Sequence, residues 1–228
     1  MNKVVMIAGA GDAVGIRLVK DFLKKEYTVA AALLEGQDAQ LPEEVYSAVI
    51  NPLCQQSATD AAKAVEDKFG AVDLLVVNMD NCTERDEKTI LDEPDYDAMK
   101  LAYEYNSLGP LRTIEAFLPL LEKGGGKRIC AVTSVDSSNN MTRDMRDFPG
   151  HVSKAPLNMA MNQLFNGLRP EGYTFRMYGK DPTAGPDKAG EFAVEYFTRN
   201  RSNEPESYKH SDENRLVLRD WMGIEIPW

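Results

Sequence analysis

Short apolar runs alternate along this chain with segments whose apolar residues recur every third or fourth position. The runs at 4–8, 27–34, 46–50, 73–78, 128–133 and 173–178 have the length and composition of strands, and 216–218 adds a short last one. Asp73-Leu-Leu-Val-Val-Asn78 is almost continuously apolar, as a parallel strand buried on both faces should be. Between the runs the spacing turns helical. Val14, Leu18 and Phe22 share one face, and Ala61, Ala64, Val65 and Phe69 share another in a helix over 57–69 that stops at Gly70. A long helix is predicted over 96–122, bent at Gly109-Pro110 and Pro119 and ended by Gly124, Gly125 and Gly126. Two more are predicted over 153–168 and 187–199. Pro156 fits only a first helical turn, so its helix should begin near Val152. The polar stretches 81–95, 134–150, 181–186 and 200–214 read as connections, the last of them charged and exposed.

Strands and helices in alternation imply right-handed crossovers between parallel strands. The predicted fold is α/β, a Rossmann-like doubly wound parallel sheet with helices on both faces. Its 228 residues are read as one domain over 1–228. Gly9, Gly11 and Gly15 stand between the first strand and the first helix. Glycines there let a backbone approach a phosphate closely, and the helix N-terminus attracts its charge, so the turn points to a nucleotide site.

Charge and cysteine content narrow the partners. A net charge of −10, with no Lys/Arg run longer than two, argues against nucleic acid. Cys54, Cys82 and Cys130 form no CxxC pair and read as reduced, buried thiols; with only two histidines, no metal site is expected. No apolar run approaches the roughly 20 residues of a membrane span. The N-terminal apolar run is too short for a signal peptide. A cytoplasmic protein without membrane contact is the expectation.

Several stretches together resemble the short-chain dehydrogenase/reductase family over almost the whole chain. Ala8-Gly-Ala-Gly-Asp-Ala-Val-Gly15 is similar to its TGxxxGxG turn, and Phe69-Gly-Ala-Val-Asp-Leu-Leu-Val-Val-Asn78 to its fourth strand. Asn106-Ser-Leu-Gly-Pro110 with Phe117-Leu-Pro-Leu-Leu121 is similar to the family's long helix. Ile129-Cys-Ala-Val-Thr-Ser134 resembles the strand that ends in the active-site serine, and Ser153-Lys-Ala-Pro-Leu157 the start of the next helix. The resemblance implies hydride exchange between a nicotinamide cofactor and an alcohol or carbonyl carbon, matched by a proton moving at oxygen. It implies catalytic roles for Asn106, Ser134 and Lys154. It implies cofactor contacts for Gly9, Gly11, Asp12, Gly15, Ile16, Asn51, Asn78 and Lys154. It also implies a homodimer or homotetramer formed through the two long helices.

The chain departs from the family pattern at its site. Gly150 stands where the acid/base tyrosine belongs, four residues before Lys154, and His151 is the nearest titratable side chain. Ala13 replaces a motif glycine, Met79-Asp80 replaces Ala-Gly beside the cofactor ribose, and Tyr178-Gly-Lys-Asp-Pro182 lacks the usual Pro-Gly. The substrate-lid region, about 179–214, is short. Leu33 and Leu34 stand where a ribose- or phosphate-gripping residue would be, and Glu35 and Asp12 would repel a 2′-phosphate. NAD(P) is the expected cofactor, with NAD favoured over NADP. Two readings stay open: an oxidoreductase acting on a small alcohol or carbonyl compound through Asn106, Ser134, Lys154 and His151, or a catalytically inactive binding or scaffolding protein of the same fold.

Overall fold

The computed structural model describes residues 2–80, 86–181, 183–208 and 210–228. The predicted strand runs pair into one sheet: β1 (Val4–Ala8), β2 (Thr28–Leu34), β3 (Tyr46–Ile50), β4 (Leu74–Val77), β5 (Arg128–Ser134), β6 (Thr174–Lys180), β7 (Leu218–Arg219) and β8 (Glu225–Ile226). Their order is β3-β2-β1-β4-β5-β6-β7-β8. Every pairing is parallel except β7 with β8. This is the doubly wound α/β sheet expected from the alternation. The antiparallel β8 was not foreseen, because two residues carry no readable pattern.

The two faces are built by period-2 alternation. On β1, Met6 and Ala8 point into one core with Val65 of α2 (Gln55–Phe69), Phe117 of α4 (Gly109–Lys123) and Met161 of α5 (Phe148–Leu168). Val5 and Ile7 point into the other with Leu18 and Phe22 of α1 (Ala13–Lys24) and Phe197 of α6 (Pro186–Thr198). Fully burying each such large side chain contributes roughly 1.5–3 kcal/mol.

The long helix predicted over 96–122 is present with a change of winding. It runs as α3 (Tyr96–Tyr103), widens to a π turn over Glu104–Leu108, and continues as α4. Pro110 has no N–H to return to the carbonyl of Asn106 one turn back, and the backbone passes the gap with Gly109 donating to the Glu104 carbonyl instead. Helix α5 starts at Phe148, earlier than the expected start near Val152. Asp147 caps it in the left-handed region (φ 56), its side chain accepting from Gly150 N, and Pro149 takes the first-turn place reserved for Pro156. Pro156 therefore lies inside the helix, its carbonyl partner one turn back left without that bond.

The 200–214 stretch is largely exposed, as its charge implied, but near its end it turns inward at Asp212 and Glu213. Asp212 is 1% exposed and takes Arg219 Nε on Oδ2 at 2.6 Å and NH2 on Oδ1 at 2.9 Å. Beside it Glu213 receives Arg128 at 2.6 Å and the fully buried Arg176 at 2.5 Å. Among the cysteines, Cys130 is buried, which pushes its thiol up to about 12, whereas Cys54 is exposed; Cys82 lies outside the described residues. Among the described residues no helix is long and apolar enough to cross a membrane.

The Asp212–Arg219 pair is a strong test of this packing. Asp212→Ala leaves a buried guanidinium unpaired and should lower unfolding free energy in urea by about 3–5 kcal/mol. Lys123→Ala, which removes a half-exposed partner of Glu66, should change it by less than about 0.5 kcal/mol. Equal effects of the two would show that the 212–219 cluster carries no special weight.

Candidate functional site

The carboxyl ends of β1, β4, β5 and β6 meet at one edge, and every candidate with a polar side chain except Asn51 and Asn106 lies on it. At the end of β1, Gly9 has φ 94, and a Cβ there would overlap the backbone carbonyl of Asn78 after β4. A Cβ at Gly15 would likewise overlap the backbone carbonyl of Gly9. The Asn78 amide donates to Gly9 O at 2.8 Å and to Asp12 Oδ1 at 2.9 Å, while its Oδ1 is buried with no partner among the described residues. Asp12 caps α1, accepting from Gly15 N at 2.6 Å. Gly11 lies under the Gln37 side chain, whose Oε1 accepts from Leu34 N at 2.9 Å. Ile16 continues α1, its N–H bonded to the Asp12 carbonyl. Asn51, at the end of β3, donates to Glu35 at 2.5 Å and accepts from Leu53 N, so its amide is engaged by its own neighbours.

A cavity of about 440 Å³ opens between this turn and α5. Ser134, His151, Lys154 and Gly150 line it together with Val14 of α1 and Lys180 of β6. The sheet register places Ser134 directly beside Lys180. Ser134 Oγ accepts from Asp136 N at 3.1 Å, with Asp136 Oδ2 at 3.4 Å and the Lys180 carbonyl at 3.5 Å. His151 and Lys154 sit one helical turn apart on α5. Nε2 of His151 lies 4.0 Å from Asp136 and 3.9 Å from Asp147. A second cavity of about 450 Å³, walled by Met145, Phe148, Val152, Ala155 and Pro156, shares Asp136 and His151 with the first. Asp181 and Ala184, at the start of the 179–214 stretch, border the first cavity. Most of that stretch is α6 and its sequel, and Ala193, Tyr196 and Phe197 are core residues.

Asn106 stands apart from these groups. It lies fully buried in the π turn and donates to Ser153 Oγ at 2.9 Å, and Ser153 in turn donates to the Gly150 carbonyl. It braces the first turns of α5. At Gly150 itself, a Cβ would overlap the Asp147 carboxylate that caps the helix.

Lys180 and Asp136 are the site residues that sequence reasoning gave no role. The signal was available for Lys180: a polar residue ending a strand at the carboxyl edge of such a sheet faces the ligand crevice. Lys154 and Lys180 both donate to Asp80 Oδ2, at 2.8 and 3.1 Å. Burial pushes the Asp80 carboxyl up, but Lys180 and Lys154 outweigh it and hold it below its ordinary 3.8. Burial likewise works against the Lys180 charge, and Asp80 and Asp12 overcome it, holding Lys180 above 10.5. Among the described residues no His, Cys, Asp and Glu side chains group to hold a metal ion.

Comparison with known proteins agrees with this architecture. Residues 3–172 match the family model described as short chain dehydrogenase. An uncharacterized oxidoreductase of Schizosaccharomyces pombe is 32% identical over 180 residues, which is 75% of this chain and 70% of that protein. Among solved structures, the carbonyl reductase Sniffer of D. melanogaster superposes with a TM-score of 0.81 at 15% identity, covering 100% of both chains. The NADPH bound carbonyl reductase from chicken fatty liver superposes with a TM-score of 0.80 at 18% identity, covering 100% of this chain and 94% of its own.

The charged cluster has a pH signature. Asp80 has a depressed folded pKa, so its contribution to stability is present above 3.8 and is lost as pH falls through the lower folded value. Lys180 has a raised folded pKa, so its contribution is present below 10.5 and is lost as pH rises further. Urea midpoints measured from pH 7 down to pH 3 should therefore fall more steeply for the native protein than for Asp80→Asn. Parallel acid limbs would mean that Asp80 gains nothing from its lysines.

Proposed function

Because the chain belongs to the short chain dehydrogenase family, we propose that it is an NAD(P)-linked oxidoreductase that interconverts an alcohol and a carbonyl compound, with His151 as its acid/base group. The observation that carries this reading is the cavity in which Ser134, His151 and Lys154 converge at the carboxyl edge of the sheet. The glycine turn suits a dinucleotide. Gly9 and Gly15 leave no room for side chains, α1 opens at this edge, and the unpartnered Asn78 Oδ1 offers an acceptor. The residues that would hold the cofactor are Gly9, Gly11, Asp12, Gly15, Asn78 and Lys154. When bound, its nicotinamide supplies or accepts the hydride at the substrate carbon.

The chain's own residues serve the substrate oxygen. The Ser134 hydroxyl accepts from the Asp136 N–H, and its proton, which makes only long contacts with Asp136 Oδ2 at 3.4 Å and the Lys180 carbonyl at 3.5 Å, turns from them to be donated to that oxygen. In reduction the His151 imidazolium gives the oxygen its proton, and in oxidation the neutral ring takes it back. Asp136 and Asp147 flank the ring and set its orientation. Lys154, held by Asp80, and Asn106, through Ser153, keep this face of α5 in place. The Met145–Pro156 cavity beside His151 suits the apolar body of a substrate. Glu35 and Asp12 favour NAD over NADP, since each carboxylate opposes a 2′-phosphate. Exposed Tyr96 and Leu101 on α3 and Val152 and Met159 on α5 support pairing of two copies through these helices. A single domain in the cytoplasm completes the reading.

One observation favours a second reading. The Asp147 carboxylate lies against position 150, where the family's tyrosine would stand, and the space it takes suits a protein whose fold was kept for binding.

The two readings separate on purified protein titrated with NADH and NADPH by cofactor fluorescence and then assayed on a panel of alcohols and carbonyl compounds. The oxidoreductase reading predicts tighter binding of NADH. His151→Ala should lower kcat/KM roughly 10²–10⁴-fold. Ser134→Ala and Lys154→Met should lower it sharply as well. Bound cofactor without turnover, or turnover indifferent to His151, would leave the binding-protein reading standing.

A further inference from the structure

Three cavities follow one another along α5. The cavity of about 440 Å³ that holds Ser134 and the cavity of about 450 Å³ beside it share Asp136 and His151. A third, of about 270 Å³, shares Ser137, Asn139 and Ala155 with the second and is bounded further along by Asn158, Met159 and Trp228. His151, Ala155, Asn158 and Asn162 recur at i, i+4, i+7 and i+11, which places them on one face of the helix. At 1.5 Å per residue that face runs about 16 Å from the histidine to Asn162. Asp136, Ser137, Asn139 and Thr142, in the turn after β5, form the other wall. That turn is tied down by Ser138 Oγ, which donates to the Pro227 carbonyl, and by the Asn140 amide, which donates to the Trp228 backbone oxygen.

The second and third cavities carry polar atoms that the fold does not use. Asn158 is 7% exposed. Its Nδ2 donates to Ser137 Oγ at 2.9 Å and to the Ser137 carbonyl at 3.3 Å, and Ser137 Oγ donates in turn to the Ser134 carbonyl at 2.6 Å. A carbonyl can only accept, so the amide nitrogen must face Ser137, and Asn158 Oδ1 is left as an acceptor without a partner among the described residues. Thr142 Oγ1, in the wall of the second cavity, is buried in the same state. An acceptor buried unpaired is costly, and a donor on a ligand recovers that cost. The surroundings are otherwise apolar: Met145, Phe148, Val152 and Pro156 in the second cavity, Met159 and Trp228 in the third. Among the described residues no charged side chain lines the third cavity.

We infer that the substrate is an elongated, largely apolar alcohol or carbonyl compound with a neutral hydrogen-bond donor, a hydroxyl or an amide, at its far end, and that Asn158 selects it through Oδ1. The reaction that the compound undergoes rests on the oxidoreductase reading, whereas the groove does not. The reacting oxygen sits at Ser134 and His151, the apolar body crosses the second cavity, and the far donor meets Asn158 in the third. A small ketone fills only the first cavity and leaves Asn158 unpaired. A terminal carboxylate brings an acceptor to an acceptor, with no cation in the third cavity to hold it. Ala155 stands where the second and third cavities join, so the size of residue 155 sets the length of compound admitted.

The test compares ω-hydroxydecanal with decanal and butanal as substrates, with NADH and NADPH supplied, and measures the binding of decane-diol and decanol by calorimetry without turnover. The helix rises about 10 Å between His151 and Asn158, a span that a ten-carbon chain covers. The native protein should favour ω-hydroxydecanal over decanal about tenfold in kcat/KM, and Asn158→Leu should lose that preference. The native protein should also bind the diol, hydroxylated at both ends, more tightly than decanol. Because Asn158 also braces Ser137, Ala155→Phe supplies a second readout: it should lower kcat/KM for ω-hydroxydecanal about tenfold more than for butanal. A preference for the diol without turnover of any aldehyde keeps the groove and removes the oxidoreductase reading. Turnover with no preference between the two chain ends keeps the oxidoreductase reading and overturns the inference. A dimer that shields Met159 from solvent, with turnover indifferent to chain length, gives the third cavity to a second copy and overturns it as well.

Discussion

The close approach of β1 and β4 is the constraint on which the rest of the site depends. The strand order reverses between them: the chain winds outward through β2 and β3, then returns to place β4 on the other side of β1. The helices that follow these two strands leave toward opposite faces of the sheet, α1 to one and α4 to the other, which opens a crevice at the strands' carboxyl ends. Gly9 and Asn78 face each other across it at a distance no side chain at position 9 could tolerate. The Asn78 amide ties both the Gly9 carbonyl and the Asp12 cap, so the turn, the start of α1 and the end of β4 move as one body. Asp80 follows two residues after Asn78 and inherits its position from that contact.

Two buried ionic clusters occupy the molecule, and their surroundings give them different meanings. Around Asp212 and Glu213, each carboxylate is matched to guanidinium groups, and Arg176 also donates to the carbonyls of Phe175, Asp212 and Arg199. Planar donors with that many fixed acceptors lock the 200–214 stretch onto β6 and leave no face for a ligand. Around Asp80 the cations are lysines, point charges on flexible stems, and the cluster borders a cavity.

The sheet was legible in the sequence because a strand buried on both faces has few ways to be written. The apolar runs, the glycine turn and the helix faces all follow local periodicity, and the structure reproduces them. What periodicity could not convey is where charge ends up. Asp212 and Glu213 read as solvated because nothing near them in sequence is apolar enough to demand otherwise; their partners Arg128 and Arg176 come from other strands. Lys180 and Asp80 are 100 residues apart, and only the register of β4 with β5 and of β5 with β6 brings them together. Pro156 misled for the opposite reason. Proline is a strong local signal for a helix start, but the Asp147 cap and Pro149 had already made one, and packing against the sheet tolerates the missing bond.

The early start of α5 bears directly on how residues 150 and 151 are placed. Had the helix begun at Val152, His151 would precede it and its ring would have no fixed direction. With the cap at Asp147, residue 151 lies in the first full turn, three positions before Lys154, and i, i+3 neighbours share a face. That face turns to the cavity because Ser153 and Asn106 anchor the side next to it on the π turn. The Asp147 carboxylate that lies against position 150 is also 3.9 Å from Nε2 of the histidine that follows. One capping residue therefore sets where the helix begins and borders both the glycine at 150 and the histidine at 151.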